Sequence, residues 1–280
     1  MSALTVAAAQ IACAGGDVGA NLARHLSAAE EARARGVELL VFPELSLTGY
    51  LAAPDLESLG RSRASEEIRR LAVAARGMAI SFGFIERDEL GAFHNAQVLV
   101  LDGCIIQVHR KANLPTYGQL REGEHYRPGR SIHTACLGDW RLGTLICADI
   151  WNPALPWLAA LQGIELLLVP AASSLHAVDG DFDNPAGWDL VLRHTAMTYG
   201  LPIVMANHCG TRDGFPFWGG SRILNADGGE AARAGNDEAL IVAGIDRADI
   251  RAARARLPTI RDADPRLVQA ELERVLAERG

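Results

Sequence analysis

The sequence predicts an α/β protein built on a mixed sheet covered by helices. Apolar runs of strand length alternate with stretches of helical period through the first half and again around residues 154–207. The stretch "NAQVLVLDGCIIQVHRK" places two strand runs around Asp102-Gly103, a strong hairpin signal that interrupts the alternation. Helix-connected strands together with hairpins call for a sheet of mixed direction. No Pro/Gly/Ser-rich linker divides the 280 residues, and one domain spanning 1–280 is expected.

The elements follow in order. "ALTVAAAQIA" reads as a first strand. After the turn "GGDVG", "NLARHLSAAEEARARG" reads as a helix with Asn21 as cap, Leu22, Leu26 and Ala29 on one face, and Gly36 as stop. "VELLVFP" is a buried strand, and "SEEIRRLAVAARG" a helix capped by Ser65, with Ile68, Leu71, Ala72 and Ala75 on its apolar face. "MAISFGFIER" is the strand before the hairpin. Further strands are "WRLGTLIC", "IELLLVPA", "LPIVMANH", "GSRILNADG" and "EALIVAGID", with helices at "PWLAALQG" and "GWDLVLRHTAMTYG". In the last stretch, residues 264–280, Leu267, Leu272 and Val275 have near-helical spacing and predict a terminal helix.

Composition excludes several classes. The chain is 49% apolar and 22% charged, which suits a large globular core. A net charge of −7 with scattered Lys and Arg offers no basic stripe for phosphates, so nucleic acid is not an expected partner. The N-terminus has no basic n-region, and its apolar run is broken by Gln10, so it reads as a strand rather than a signal peptide. No segment approaches the ~20 apolar residues of a membrane span. The five cysteines, Cys13, Cys104, Cys136, Cys147 and Cys209, are odd in number and widely spaced, which predicts reduced thiols and a cytoplasmic protein. Cys13, Cys104 and Cys136 read as buried filler.

Three residues stand at strand ends. Glu44 follows "LLVFP" among Phe42, Pro43, Leu45 and Leu47, where a carboxylate would be partly desolvated as a general base requires. Its bland alternative is an exposed loop glutamate. Lys111 ends "CIIQVHRK"; it is either a solvated edge lysine or a fixed ammonium facing a developing oxyanion. Cys147 closes "RLGTLI" and precedes a Trp-Asn-Pro turn into a helix. A strand-to-helix turn can raise the thiol above the sheet, and a helix start with a nearby ammonium would lower its pKa. Carboxylate, ammonium and thiol together suit acyl transfer from an amide.

With these residues in place, the sequence resembles the nitrilase, or carbon–nitrogen hydrolase, superfamily. The match rests on "FPELSLTGY", "HRKANLPTYG" and "LICADIWNP" at intervals of 67 and 36 residues, supported by "AAAQIA", "GDVGANL", "HNAQVLV" and "WGGSRILNADGG", and covers about residues 4–247. The resemblance implies a four-layer α-β-β-α sandwich of two mixed sheets. It implies Glu44 as general base, Lys111 as the cation beside the oxyanion, Cys147 as the nucleophile forming a thioester, and the Ala148 N–H as a further oxyanion donor. A second glutamate falls on Glu122 or Glu124 in "YGQLREGEHYRPG", with Glu122 favoured by the count from Gly118. No metal or organic cofactor is implied. A homodimer or higher homo-oligomer is implied, with the tail at 264–280 either crossing to a neighbour or packing on its own subunit.

The substrate class narrows from the same residues. Nitrile-hydrolysing members carry Trp-Glu after the cysteine, where this chain has Ala148-Asp149, so a small carboxamide is the expected substrate. N-carbamoyl hydrolysis is weakened, since Ile150 and Trp151 replace the basic residues such enzymes place there, and a catalytically silent interaction protein is the non-enzyme alternative. With no P-loop or ATP-pyrophosphatase segment, the chain is not expected to be a whole glutamine-dependent NAD synthetase. Tyr50, Tyr117, Trp151, Ser173, Asn207 and the turn "FPFWGG" are expected to shape the pocket, although for Phe217 and Trp218 ordinary packing is the better reading. Ser173 and Ser174 either orient the amide or cap the next element. The acidic loop "HAVDGDFDNPAG" is long enough to be a lid, but its aspartates lack the pattern of a calcium loop, and no His pair has zinc spacing.

Overall fold

The computed structural model describes residues 3–178, 180–212 and 214–279. The first half contains β1 (Leu4–Gln10), α1 (Val18–Ala34), β2 (Leu39–Val41), α2 (Leu56–Leu59), α3 (Glu66–Ala74), β3 (Ala79–Arg87), β4 (Phe93–Leu101), β5 (Cys104–Arg110) and α4 (Glu122–His125). The second contains β6 (Thr134–Leu137), β7 (Trp140–Thr144), a 3-10 turn at Cys147–Trp151, α5 (Ala154–Leu161), β8 (Leu166–Ala171), α6 (Asn184–Tyr199) and β9 (Ile203–Asn207). It continues through β10 (Cys209–Arg212), β11 (Phe215–Trp218), β12 (Arg222–Leu224), β13 (Glu230–Arg233), β14 (Ala239–Ile245), α7 (Arg247–Arg256) and α8 (Pro265–Arg279).

Two six-stranded mixed sheets form, in the orders β14-β1-β2-β3-β4-β5 and β13-β12-β9-β8-β7-β6. In each, three parallel strands are flanked by antiparallel ones: β1, β2 and β3 in the first, β7, β8 and β9 in the second. Burial explains why the central strands read as unbroken apolar runs. Val6, Ala8, Leu39 and Val41 face Leu142, Leu166, Leu168 and Val204 across the space between the sheets. Their neighbours Ala7, Ala9 and Leu40 face outward against α1 and α3, through Leu22, Ala29, Ile68 and Leu71. On the far side Leu167, Val169 and Ile203 pack on α5 and α6 through Ala159, Leu192 and Ala196. The result is the four-layer α-β-β-α sandwich; each fully buried Leu or Ile adds about 1.5–3 kcal/mol.

The expected hairpin is present, with Asp102 at φ 47° and Gly103 at φ 84°, the paired positive angles of a type I′ turn between Leu101 and Cys104. Other expectations need correction. Asp17, not Asn21, caps α1 through its bond from Ala20 N; Asn21 is buried and ties Ala14 and Leu47 together instead. Ser65 stands at the start of α3 but makes no side-chain cap there. Cys104 and Cys136 are exposed, because both fall on outward positions of edge strands, while Cys13 is buried. "FPFWGG" is not a turn: Phe215–Trp218 is a strand paired with β10. The terminal helix forms at Pro265–Arg279 without burying any residue. Among the described residues no helix is long and apolar enough to cross a membrane.

Candidate active site

The parallel strands of both sheets end at one edge of the molecule, and the side chains that follow them converge. Glu44 leaves β2 on a loop stapled to β3: Leu47 N donates to Gly83 O at 2.8 Å, Gly83 N to Ser46 Oγ at 3.3 Å, and Ile85 N to Thr48 Oγ1 at 3.3 Å. The approach is so close that a Cβ on Gly83 would lie 2.3 Å from Leu45 N. Lys111 follows β5, its N–H held by Asn95 O at 2.8 Å. Cys147 follows β7, and Ala172 and Ser173 follow β8.

Lys111 and Glu44 are fully buried, and Glu122 is nearly so. Lys111 Nζ lies 2.6 Å from Glu44 Oε1 and 2.7 Å from Glu122 Oε1. The remaining carboxylate oxygens are also satisfied, as burial demands. Asn95 Nδ2 donates to Glu44 Oε1 at 2.7 Å and to Glu122 Oε2 at 3.4 Å, Tyr50 OH donates to Glu122 Oε1 at 2.9 Å, and Ala172 N donates to Glu44 Oε2 at 2.8 Å. Of the two glutamates left open by the sequence, Glu122 joins this cluster while Glu124 is exposed.

Two carboxyl groups around one buried ammonium set the proton distribution. Although burial opposes its charge, Lys111 is pushed well above its usual range by Glu122 and Glu44, so it stays an ammonium. Glu122 is pushed up to about 7, chiefly by burial and then by the charge on Glu44, with Lys111 opposing. The Cys147 thiol is also pushed up, by burial first and by Glu44 second, against the pull of Lys111 and the Ala172 N–H. This reverses the lowered thiol expected from the sequence: desolvation and the carboxylates outweigh the single cation. Cys147 therefore rests as a thiol.

Cys147 has φ 46°, one of three non-glycine residues with positive φ among those described; Leu45, next to Glu44, is another at φ 49°. Strained backbone at two of three such positions lies in this site. The strain at Cys147 is held by Asp149, fully buried, whose Oδ2 accepts from Ile146 N at 3.0 Å and lies 2.8 Å from His109 Nε2. Its Oδ1 accepts from Ala112 N at 3.0 Å and Asn113 N at 2.8 Å.

A cavity of about 280 Å³ opens beside the thiol. Cys147, Ala148, Glu122, Tyr50, Tyr117, Trp151 and Ser173 line it, with Phe182, Asn184 and Trp188. Asn207, expected in the pocket, does not line it; its amide is spent on Ser173 N, Ser173 O and Gly219 O, which fix the turn after β8. Trp218 donates to Ser173 Oγ at 3.1 Å and Phe217 stacks near Tyr50 and His208, so both serve packing. In the acidic loop, Asp183 caps α6, and Asp179 lies outside the described residues. No group of three or more His, Cys, Asp or Glu among the described residues could hold a metal ion.

Sequence reasoning missed Asn95, His109, Asp149 and the wall of Phe182, Asn184 and Trp188. A signal existed for two of them. Asn95 and His109 are polar residues within otherwise apolar strand runs, and such residues need buried partners.

Comparison with known proteins finds relatives along nearly the whole chain. The carbon–nitrogen hydrolase family profile covers residues 5–255. The glutamine-dependent NAD(+) synthetase of Thermotoga maritima is 34% identical over 81% of this chain, which spans only 39% of that protein's length. An (R)-stereoselective amidase from a Pseudomonas species is 31% identical over 90% of this chain and 89% of its own. Among solved structures, a glutamate-to-glutamine variant of the amidase from Nesterenkonia sp. AN1 superposes with a TM-score of 0.80 at 25% identity, covering 96% of this chain and 97% of that one. It carries the acetamide moiety of fluoroacetamide added covalently at its active-site cysteine. With Glu44, Lys111 and Cys147 each following its own strand and the profile spanning nearly the whole chain, this protein belongs to the carbon–nitrogen hydrolase family.

Proposed function

We propose that this chain hydrolyses the amide bond of a small carboxamide through a thioester on Cys147, releasing ammonia or an amine. The observation that carries the reading is the Lys111 ammonium held between Glu44 at 2.6 Å and Glu122 at 2.7 Å, next to a thiol that lines a cavity of about 280 Å³.

The thiol is protonated at rest, so attack requires a base, and Glu44, held by Lys111, Asn95 and the Ala172 N–H, is the carboxylate placed to serve. Glu44 takes the Cys147 proton as sulfur bonds to the amide carbon, and the carbonyl electron pair moves onto oxygen. Lys111 and the Ala148 N–H stabilise that oxyanion. The C–N bond breaks as Glu44 returns its proton to the leaving nitrogen. Water, deprotonated by Glu44, then attacks the thioester; the C–S bond breaks, and the proton returns to sulfur. Glu122 holds Lys111 in place through its Oε1, 2.7 Å from Nζ. Tyr50, Tyr117, Trp151 and Ser173 contact the acyl group.

The test is ammonia release from a panel of small carboxamides by the wild type and by Cys147→Ala and Glu44→Gln. The reading expects turnover in the wild type and its loss in both variants; equal turnover in all three overturns it. Carbon dioxide accompanying the ammonia would indicate an N-carbamoyl substrate instead.

A further inference from the structure

Resting on the amide-hydrolase reading, we infer that the acyl half of the substrate is uncharged and apolar, a branched alkyl or single-ring aromatic group, and that Phe182, Trp151 and Trp188 select it.

The cavity is a built apolar wall. Trp151 stands edge-on to Trp188, with centroids 5.5 Å apart at 87°, and to Phe182 at 6.2 Å and 62°. These rings rest on α6 where it has no side chain: a Cβ on Gly187 would lie 2.7 Å from Phe182 Cζ and 3.0 Å from Trp151 Cη2. Glycine inside a helix costs about 1 kcal/mol relative to alanine, so its presence here is explained by the rings that cover it. Aromatic faces meeting edge-on bind rings and branched alkyl groups well.

The polar capacity of the same wall is nearly exhausted. Glu122 is the only charged residue among the described lining residues, and it is committed to Lys111 and Tyr50. No Lys or Arg is among the described lining residues to receive a carboxylate. Asn184 Nδ2 is spent on Ser173 Oγ at 2.9 Å and Ser174 O at 2.6 Å. With Trp218 also donating to Ser173 Oγ at 3.1 Å, that hydroxyl has both lone pairs engaged and offers a ligand only its proton. What remains to a ligand among the described lining residues is neutral donors, the hydroxyls of Ser173 and Tyr117 and the indole N–H groups of Trp151 and Trp188, with no cation to balance a carboxylate or zwitterion taken out of water. The volume of about 280 Å³ lies just below the ~300 Å³ lower bound typical of drug-sized ligand sites, which limits the group to one ring.

The inference separates this chain from the glutamine-using relative it resembles, because glutamine would bring an ammonium and a carboxylate into this wall. The experiment compares kcat/KM for benzamide and isobutyramide with that for L-glutamine and succinamate, and repeats it for Phe182→Arg. The expectation is a preference for the neutral apolar amides of at least about 100-fold in the wild type, since a charge set against this apolar wall loses hydration with no cation there to replace it. In Phe182→Arg the ratio of succinamate to benzamide should rise at least about tenfold, a single added ion pair at a half-exposed position being worth about 1.4 kcal/mol or more. Glutamine or succinamate turned over as well as benzamide by the wild type overturns the inference and leaves the amidase reading standing. No ammonia from any amide, with no acylation of Cys147, overturns both.

Discussion

Asp149 Oδ2 lies 2.8 Å from His109 Nε2, joining the residue two positions after Cys147 to the residue two positions before Lys111. Because the other carboxylate oxygen accepts from Ala112 N and Asn113 N, one buried side chain locks the end of β5 to the turn that carries Cys147. The ammonium and the thiol are thereby held in one frame though they belong to different sheets.

Asp149→Asn should therefore damage catalysis more than binding. An amide NH₂ in place of a carboxylate oxygen would face backbone donors, and each buried donor left unpaired costs about 1–3 kcal/mol. We expect kcat to fall at least tenfold with KM little changed and the melting temperature to drop by several degrees, read from steady-state kinetics and thermal unfolding. An unchanged kcat in a folded variant would remove Asp149 from the positioning scheme.

Glu44→Gln should make the Cys147 thiol more reactive toward a small neutral disulfide reagent while amide hydrolysis is lost. Glu44 is the largest charge raising that thiol, and neutralising it lowers the pKa and raises the thiolate fraction. Labelling rates across pH, resolved by peptide mass, check this; slower labelling in the variant contradicts it.

Glu122 imposes a pH slope on stability. Unfolded it ionises near the ordinary 4.5; folded it keeps its proton up to about 7, because burial and Glu44 disfavour its charge. Folding takes up a proton in that window, so the contribution is fully present below about 4.5 and is lost as pH rises through about 7. Denaturant unfolding across that range should show the wild type losing stability with pH more steeply than Glu122→Gln. Parallel slopes would refute the assignment.

Helix α8 exposes Leu267, Val268, Leu272 and Leu276 and buries nothing on its own subunit. An apolar face of this kind suits a helix that packs on a second copy, and we propose a homo-oligomer formed in part through it. Leu267→Asp with Leu272→Asp should lower the mass measured by light scattering without lowering the melting temperature of the core strands. A wild type that is monomeric at micromolar concentration would refute this use of α8.

The sequence made the site legible where chemistry and position coincide. Glu44, Lys111 and Cys147 each follow a strand, and strands announce themselves by apolar runs buried on both faces, as Val6 to Ala9 and Leu166 to Val169 are. What stayed hidden depends on distances between chain segments far apart. Asp149 looks like an ordinary turn residue until it meets His109, 40 positions earlier. Asn207 is expected from the sequence to shape the pocket, but its amide is consumed by the neighbouring backbone. Partition into two sheets was equally invisible to local pattern, since each strand buries both faces whichever sheet it joins.

We propose that Cys147 carries the acyl group in turnover. This is tested most directly by acid-quenching the enzyme under saturating carboxamide and weighing the intact protein and its Cys147 peptide. The account predicts an added mass equal to the amide minus ammonia, on that peptide in the wild type and absent from Cys147→Ala. Steady turnover with no adduct on Cys147, or retained turnover in Cys147→Ala, would contradict it.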